Sequence, residues 1–494
     1  MSPIKLKGTG ETISELLRRA GQIIVLPCGG RGVCGGCAVL ASGELDLPSK
    51  KEQSLLDRKA IKPADSFTPR LACFCRVLGD AEVILRETAK MAVSHISCNI
   101  PDYDGNERFA LGVAIDVGVT RLALELHNLN ENMLLTSQTG LNPQAVFGED
   151  VLSRITYALQ NGFEELRDVL LSALWEMIET ALLEVKVFAE DIRRVVLTGN
   201  TTMLHFIRGI NPVADAGLFG ESFPAAEVFP SLTRADLYVP RCISANIGAD
   251  ITCGLYAAEC LNKPGASLYV DAGTNSEIVL IRDKKILCGA AASSPVFEGA
   301  KIIMGMAAEA GAVQHVRHTG YGIMCDTISD SPPAGICGSG IISAASLLME
   351  MGELDETGYL ETDPYELGNS GIHIHGRDIR ELQLAKSAIA AGITALLKAA
   401  CTTEDSADRL ILAGGFGSSF DTCEAAAIGL IPNSLQNKTI YAGNAALLGA
   451  VICLYSQNAR QKIFRIANDA EEIPLTETPE FNQLLTDRMA FKPY

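Results

Sequence analysis

A group of cysteines near the N-terminus constrains this chain more than any other feature. Cys28, Cys34 and Cys37 stand in PCGGRGVCGGC (27–37), and RLACFC (70–75) adds Cys73 and Cys75. The spacing C-x5-C-x2-C with one distant Cys is that of a [2Fe–2S] site, one residue longer in its first gap than the plant-type spacing. Three thiolates on a tight loop grip one side of such a cluster, and a fourth closes it from another segment. The five glycines between Cys28 and Cys37 suit that loop, because backbone there must bend sharply and approach inorganic sulfide without a Cβ in the way. A zinc site would more naturally show paired C-x2-C knuckles. Residues 30–35, GRGVCG, formally satisfy G-x-G-x-x-G. A dinucleotide fingerprint follows a strand and opens a helix, whereas here Pro27 and Cys28 precede it and Cys34 interrupts it. The segment reads as an electron-transfer module joined to something larger.

At 494 residues the chain has room for two to four domains with ample core. A net charge of −18 speaks against nucleic acid and anionic membrane surfaces as partners. The 15 cysteines form an odd set without disulfide-like clustering, and no signal-peptide pattern follows Met1. The longest apolar stretch, around Ala388–Leu397, is too short to cross a bilayer and is followed by Lys398. A soluble protein of a reducing cytoplasm is expected.

Residues 1–85 read as one small domain. Thr12-x-x-Glu15 is a capping box opening a helix through Ala20. Ile23–Leu26 leads into the cysteine loop, Cys37–Leu40 leads out as a strand, and Ala81–Leu85 closes the unit. This resembles the β-grasp ferredoxin fold. Residues 86–108 are polar and non-periodic and read as a linker that lets the first domain swing. Residues 109–494 contain an internal repeat. FALGVAIDVGVTRLALELHNLN (109–130) parallels ASLYVDAGTNSEIVLIRDKKI (266–286), and RRVVLTGNTT (193–202) parallels DRLILAGGFG (408–417). Two half-domains with a cleft between them follow.

Each repeat carries D-x-G with a hydroxyl residue between two strands. Such a turn aims backbone N–H groups at phosphate oxygens, and its Asp suits Mg²⁺, usually through water. One D-x-G carries almost no information. Two in matching strand contexts, Asp116–Gly118–Thr120 and Asp271–Gly273–Thr274, with a late GGFG (414–417), carry much more. On these residues the region resembles the acetate kinase, sugar kinase, Hsp70 and actin superfamily. The expected fold is therefore α/β and α+β, a β-grasp [2Fe–2S] domain followed by a duplicated actin/Hsp70-like ATPase fold. The resemblance implies a first phosphate loop over Asp116, Gly118 and Thr120 and a second over Asp271, Gly273, Thr274 and Asn275. It implies an adenosine loop at Gly414, Gly415 and Gly417, and a connecting motif at Asn200. It also implies a helix-opening turn near the nucleotide at Gly338 and Gly340 in GICGSGI (335–341). Val119 departs from the pattern, since a Thr is common there. No Walker A sequence occurs.

The two parts together, with NPQAVFGEDVLSRI (142–155), NIGAD (246–250), DAGTNSEI (271–278) and FEGAKIIMGMAAEAGAV (297–313), resemble the reductive activators of corrinoid-dependent enzymes. The resemblance implies Cys73, in its RLAC context, as the fourth cluster ligand beside Cys28, Cys34 and Cys37. It implies ATP and Mg²⁺ in the cleft, a Co(II) corrinoid protein as partner and a low-potential electron donor; a homodimer is a separate expectation. Asp150 in FGEDV either orients the attacking water or Mg²⁺, or caps a helix. Family members often carry an extra middle domain, which the short linker here is expected to exclude. The rival readings are an ATP-driven activator of another low-potential enzyme, and a small-molecule kinase with a redox-sensing cluster.

Overall fold

The computed structural model describes the chain apart from residues 1–2, 21–36, 60–65, 85–99, 212–217, 262–263, 274, 294, 300, 320–321 and 415–419. The expected strand at 23–26 lies outside the described residues, as do Cys28, Cys34, Thr274, Gly415 and Gly417.

The N-terminal domain has strands β1 (Ile4–Lys7), β2 (Ala38–Leu45), β3 (Thr68–Leu71) and β4 (Val77–Ile84) in the order β1-β4-β2-β3, every pair antiparallel. Helix α1 (Ile13–Arg19) starts where the capping box places it. Thr12 N–H donates to Glu15 Oε2 at 2.7 Å and Glu15 N–H to Thr12 Oγ1 at 3.2 Å. Leu16 and Leu17 of α1 and Leu55 and Leu56 of α2 (Lys50–Lys59) bury against Val39, Leu71, Val77 and Val83.

Residues 100–108 are not a free tether. Asp104 pairs with Arg194 at 2.7 Å and accepts a hydrogen bond from Gln457 N–H at 2.6 Å, while the Arg194 guanidinium lies 4.6 Å from the centroid of the Tyr103 ring. Ile100 and Tyr103 pack on the adjoining core. Of the expected 86–108 linker, residues 86–99 lie outside the described residues. Its second half, polar in sequence, carries two apolar anchors and a charge pair that strap it down.

Two lobes follow. Lobe 1 holds β5 (Leu111–Val117), β6 (Arg121–Asn128), β7 (Met133–Leu141), helices α3 (Val151–Asn161) and α4 (Glu164–Val185), then β8 (Ile192–Gly199), α5 (Thr201–Arg208), β9 (Glu221–Pro224) and β10 (Asp236–Val239). Helix α6 (Ala249–Ala257) leads on to lobe 2. That lobe has β11 (Ala266–Ala272), β12 (Ser276–Arg282) and β13 (Lys285–Ala291), then the short strands β14 (Ala312–Thr319), β15 (Gly322–Thr327) and β16 (Gly335–Ile336). Helix α7 (Gly338–Met351), the ribbon β17 (Tyr365–Glu366) and β18 (His373–Ile374), helix α8 (Gly376–Ala399) and β19 (Ala407–Ala413) come next. Helix α9 (Thr422–Ala427), β20 (Thr439–Gly443), α10 (Ala445–Tyr455), α11 (Gln457–Asp469), β21 (Ala470–Glu472) and α12 (Pro479–Asp487) close the chain.

The sheets run β7-β6-β5-β8-β10-β9 and β20-β19-β11-β12-β13-β21. Five strands correspond one to one, each with an antiparallel β5-β6-β7 or β11-β12-β13 meander and two parallel neighbours beyond it. The repeat seen in the sequence is thus a repeat of topology.

The lobes are joined by an exchange of helices. Ile247, Ile251 and Leu255 at α6 bury against Tyr269, Val279 and Ile411 of the lobe 2 sheet. Leu447, Ala450, Val451 and Leu454 of α10 bury against Ala114 and Val196 of the lobe 1 sheet. Every residue of α10 is buried, as expected of a helix apolar on all sides. Where the two helices meet, a Cβ on Gly449 would lie 2.3 Å from the Cys253 carbonyl oxygen, so glycine is required there. Helix α8 is long and apolar enough to cross a bilayer, which the stretch Ala388–Leu397 alone is not; it is mostly buried within lobe 2. Gly449→Ala should overpack the crossing and destabilise the protein by about 1–3 kcal/mol. Calorimetry should show a lowered unfolding temperature, and an unchanged one would contradict the tight crossing.

Candidate functional site

In the N-terminal domain, the antiparallel register Ala38↔Leu71 sets the segments bearing Cys37 and Cys73 side by side. Ala72 N–H donates to the Cys37 carbonyl at 3.0 Å, and the Cys37 and Cys73 sulfurs stand 3.3 Å apart. That is too far for an S–S bond of about 2.05 Å and near enough for both to ligate one metal ion. The pair fits two of the four thiolate positions a [2Fe–2S] group needs. Cys75 is fully buried in the domain core.

A buried pair that the sequence reading did not single out fixes this segment. Arg70 Nε donates to Glu52 Oε1 at 3.0 Å, Arg70 Nη1 to the Asp46 carbonyl at 2.7 Å, and Leu71 N–H to Glu52 Oε1 at 2.9 Å. Glu52 and Arg70 are 1% and 4% exposed, so each charge depends on the other. Their signal in the sequence is slight: a Glu in the first turn of α2 and an Arg just before the cysteine.

In the C-terminal region the described residues of the two D-x-G turns, with Gly199 and Gly414, stand at the ends of the parallel central strands. Register pairs Val117 with Gly199 and Asp271 with Ala413, so both D-x-G turns and both glycine turns open at the same edge of their sheets. A Cβ on Gly414 would lie 2.5 Å from Asp271 Oδ1, and one on Gly248 would lie 2.5 Å from the Gly199 carbonyl. Gly273 N–H donates to the Asn275 carbonyl at 3.2 Å, closing the second turn, and Ser293 Oγ holds the Gly273 carbonyl at 2.9 Å.

The first turn is held from behind. The carbonyls of Gly118, Val119 and Thr120 accept, in order, from Asn142 Nδ2 at 2.8 Å, Arg154 Nη2 at 2.6 Å and Asn142 N–H at 2.9 Å. A trans peptide sets each C=O antiparallel to the following N–H. Pinning the Gly118 and Val119 carbonyls therefore turns the Val119 and Thr120 amides to the opposite side, where phosphate oxygens would be met. Val119 loses the usual hydroxyl and keeps this amide.

Asn200 caps α5, its Oδ1 accepting from Thr202 N–H at 3.0 Å; the helix crossing to the other lobe is α6. Asp150 caps α3, its Oδ1 accepting from Ser153 N–H at 2.7 Å, which is the helix-cap alternative left open by the sequence. Gly338 opens α7 and is buried, and Gly340 meets strand β14, since a Cβ there would lie 2.0 Å from the Val313 carbonyl. Thr120 reaches across the cleft, its Oγ1 donating to Glu298 Oε2 of lobe 2 at 2.7 Å.

Three further groups belong to this cleft. Asn444, the N-cap of α10, donates from Nδ2 to Asp116 Oδ2 at 2.9 Å while its Oδ1 accepts from Leu447 N–H at 2.8 Å. Asp250 and Glu277 join the acidic group. Burial raises Asp116 to about 6 against the hydrogen bond from Asn444. Burial and then the Asp116 charge raise Asp271 to about 7. Burial, then Asp271 and Asp116, raise Asp250 to about 8. Glu277 is likewise raised by burial and by Asp250 and Asp271. Asp250, Asp271 and Glu277 are raised by their acid neighbours because like charges crowd together, whereas burial alone raises Asp116. Among the described residues no three His, Cys, Asp or Glu side chains form a ready metal cage. The donor set fits Mg²⁺ held by one or two carboxylates, waters and phosphate oxygens.

Comparison with known proteins divides the chain into three matched regions. The description "RACo middle region" matches residues 111–263, "C-terminal domain of RACo the ASKHA domain" matches 265–493, and "2Fe-2S iron-sulfur cluster binding domain" matches 3–78. The chain belongs to the RACo family. Lobe 1 is therefore the middle region itself, which corrects the expectation that it is absent: it follows the short linker directly, folded as the first half of the duplication. The corrinoid activation enzyme RamQ of Eubacterium limosum is 27% identical over 76% of this chain and 69% of its own length. A [Co(II) methylated amine-specific corrinoid protein] reductase of Methanosarcina barkeri is 25% identical over 77% of each. The solved structure of a reductive activator for corrinoid,iron-sulfur protein superposes with a TM-score of 0.71 at 26% identity, covering 98% of this chain and 96% of its own.

Two outcomes follow. In the reconstituted protein, Cys37→Ser and Cys73→Ser should bleach or shift the visible spectrum and Cys75→Ser should not, because Cys75 faces the core; the reverse pattern would reassign the fourth ligand. The cleft acids bind protons more tightly folded than unfolded, where Asp titrates near 4. Metal-free stability should therefore fall as pH rises from about 4 to about 8. Mg·ATP competes with those protons, so its thermal stabilisation should grow between about pH 6 and 8. A pH-independent shift would remove the acids from the metal site.

Proposed function

We propose that this protein reductively activates a corrinoid protein, passing one electron to the Co(II) form of its partner and driving the step to Co(I) with ATP. One observation carries the reading: a cysteine pair poised for an iron–sulfur group and a two-lobed acidic cleft occur in one chain, and that chain superposes over 98% of its length on a solved reductive activator for corrinoid,iron-sulfur protein. When bound, the [2Fe–2S] group supplies a one-electron store, held by Cys28, Cys34, Cys37 and Cys73 and filled from a low-potential donor. In the cleft, Asp116 and Asp271 would hold Mg²⁺, with Asn444 keeping Asp116 in place. The amides of 119–120, with Thr274 and Asn275, take the phosphates. Gly414, Gly415 and Gly417 make room for the adenosine. Asp250 and Glu277 add to the field that attracts the cation.

Nucleotide is needed because the electron moves uphill. A one-electron step against ~200 mV costs about 4.6 kcal/mol, at ~59 mV per tenfold. A cleft that binds nucleotide differently in two conformations can supply that difference, and the Thr120–Glu298 bond is a contact that opening would break.

Asp116→Asn and Asp271→Asn should each cut Mg·ATP hydrolysis by about a hundredfold, the usual loss for a charge-stabilising group, while the cluster spectrum is unchanged. Corrinoid absorbance under anaerobic conditions, with a reductant of limited driving force, should show Co(I) only with Mg·ATP. Equal Co(I) without nucleotide would reject coupling.

A further inference from the structure

The segment that holds the first D-x-G turn also touches the N-terminal domain. Asn142, besides pinning the Gly118 and Thr120 carbonyls, caps the 3-10 turn Pro143–Val146 by accepting from Gln144 N–H at 3.0 Å. Arg154 is fully buried. It donates to the Val119 carbonyl at 2.6 Å, to Gln144 Oε1 at 3.2 Å and to the Gly148 carbonyl at 3.0 Å, with Met203 Sδ at 3.3 Å from Nη1. Gln144 Nε2 ties the turn to α4 through the Leu166 carbonyl at 2.9 Å. At the end of the turn, Val146 packs against the lobe 1 core on one side and the core of the N-terminal domain on the other. That second core contains Cys37 and Leu71, with Cys73 and Phe74 packed on it.

We infer that the turn Asn142–Val146, clamped by Arg154, transmits nucleotide occupancy of the cleft to the cysteine-bearing domain through Val146. The inference rests on the reading of the cleft as a nucleotide site. The physical case is continuity. A guanidinium shielded from water persists only with its donors satisfied, and its acceptors here are a carbonyl of the phosphate turn, the side chain of the 3-10 turn, and the carbonyl that follows that turn. A shift of the Gly118–Thr120 backbone toward a phosphate cannot leave residues 142–148 in place without breaking these bonds. Val146 is the point where that displacement reaches the other domain. Arg154 and Val146 are positioning residues: neither meets the reacting atoms.

The test is hydrogen–deuterium exchange on the full, reconstituted chain with and without Mg·ATP. In the parent protein nucleotide should protect residues 116–120 and change exchange in residues 66–84 by about fivefold or more, the lower end of ordinary site-to-site coupling. Val146→Asp should abolish the change at 66–84 while protection at 116–120 and basal ATP turnover stay within about twofold. Val146→Ala, which inserts no charge, should weaken the same change and serves if the aspartate variant does not fold. Arg154→Lys keeps the charge and loses the fork; it should reduce the response at 66–84. Protection at 116–120 without any change at 66–84 in the parent, or an unaltered change in the Val146 variants, would overturn the coupling. Absence of protection at 116–120 would instead overturn the nucleotide reading of the cleft, and the coupling with it.

Discussion

Neither sheet of the C-terminal region completes its own hydrophobic layer, and the exchange of α6 and α10 follows from that. Each sheet is covered on one face by a helix connected to the opposite lobe, while each lobe keeps a core of its own on the other. The burial is non-directional, but its consequence is geometric. The helices can cross closely only because Gly449 carries no side chain where it meets the Cys253 carbonyl. Their starts then fall at the ends of the central strands, bringing Asp250 from α6 and Asn444 from α10 to the D-x-G turns.

That placement gathers acids that repel one another. Asp116, Asp250, Asp271 and Glu277 all hold their protons more tightly than ordinary carboxylates: burial leads at each, neighbouring acids add to it at Asp250, Asp271 and Glu277, and at Asp116 the hydrogen bond from Asn444 opposes it. A cleft of this kind is relieved by protons or by a cation, which is the physical link between nucleotide-bound metal and the closed arrangement seen in the Thr120–Glu298 bond. Beyond Asp116, the first turn owes its shape to Asn142 and Arg154, which take up the carbonyls of Gly118, Val119 and Thr120.

The N-terminal domain solves a smaller version of the same problem. The Glu52–Arg70 pair lies almost wholly out of water, where breaking it would leave an uncompensated charge. Glu52 also holds the Leu71 amide, so the pair fixes the backbone two residues before Cys73.

The sequence by itself determined the local grammar. The capping box at Thr12, the paired hairpins around Asp116 and Asp271, the strands ending in Gly199 and Gly414, and the cysteine spacing all depend on near neighbours, so short-range pattern sufficed. The repeat was legible for the same reason, and with it the two-lobed architecture and the converging D-x-G turns. Asn444 was not legible as a site residue, and Asp250, Glu277 and Arg154 stood inside segments that carried the family resemblance without showing what each would touch. Within the expected linker the composition is polar, yet Tyr103 and Asp104 find a distant partner in Arg194, and Ile100 packs on the same core. The middle region was counted as missing because, folded, it is the first half of the duplication. What only the tertiary structure decided is which distant groups share a low-dielectric space, since burial, proton affinity and the worth of a buried hydrogen bond depend on neighbours that chain order does not specify.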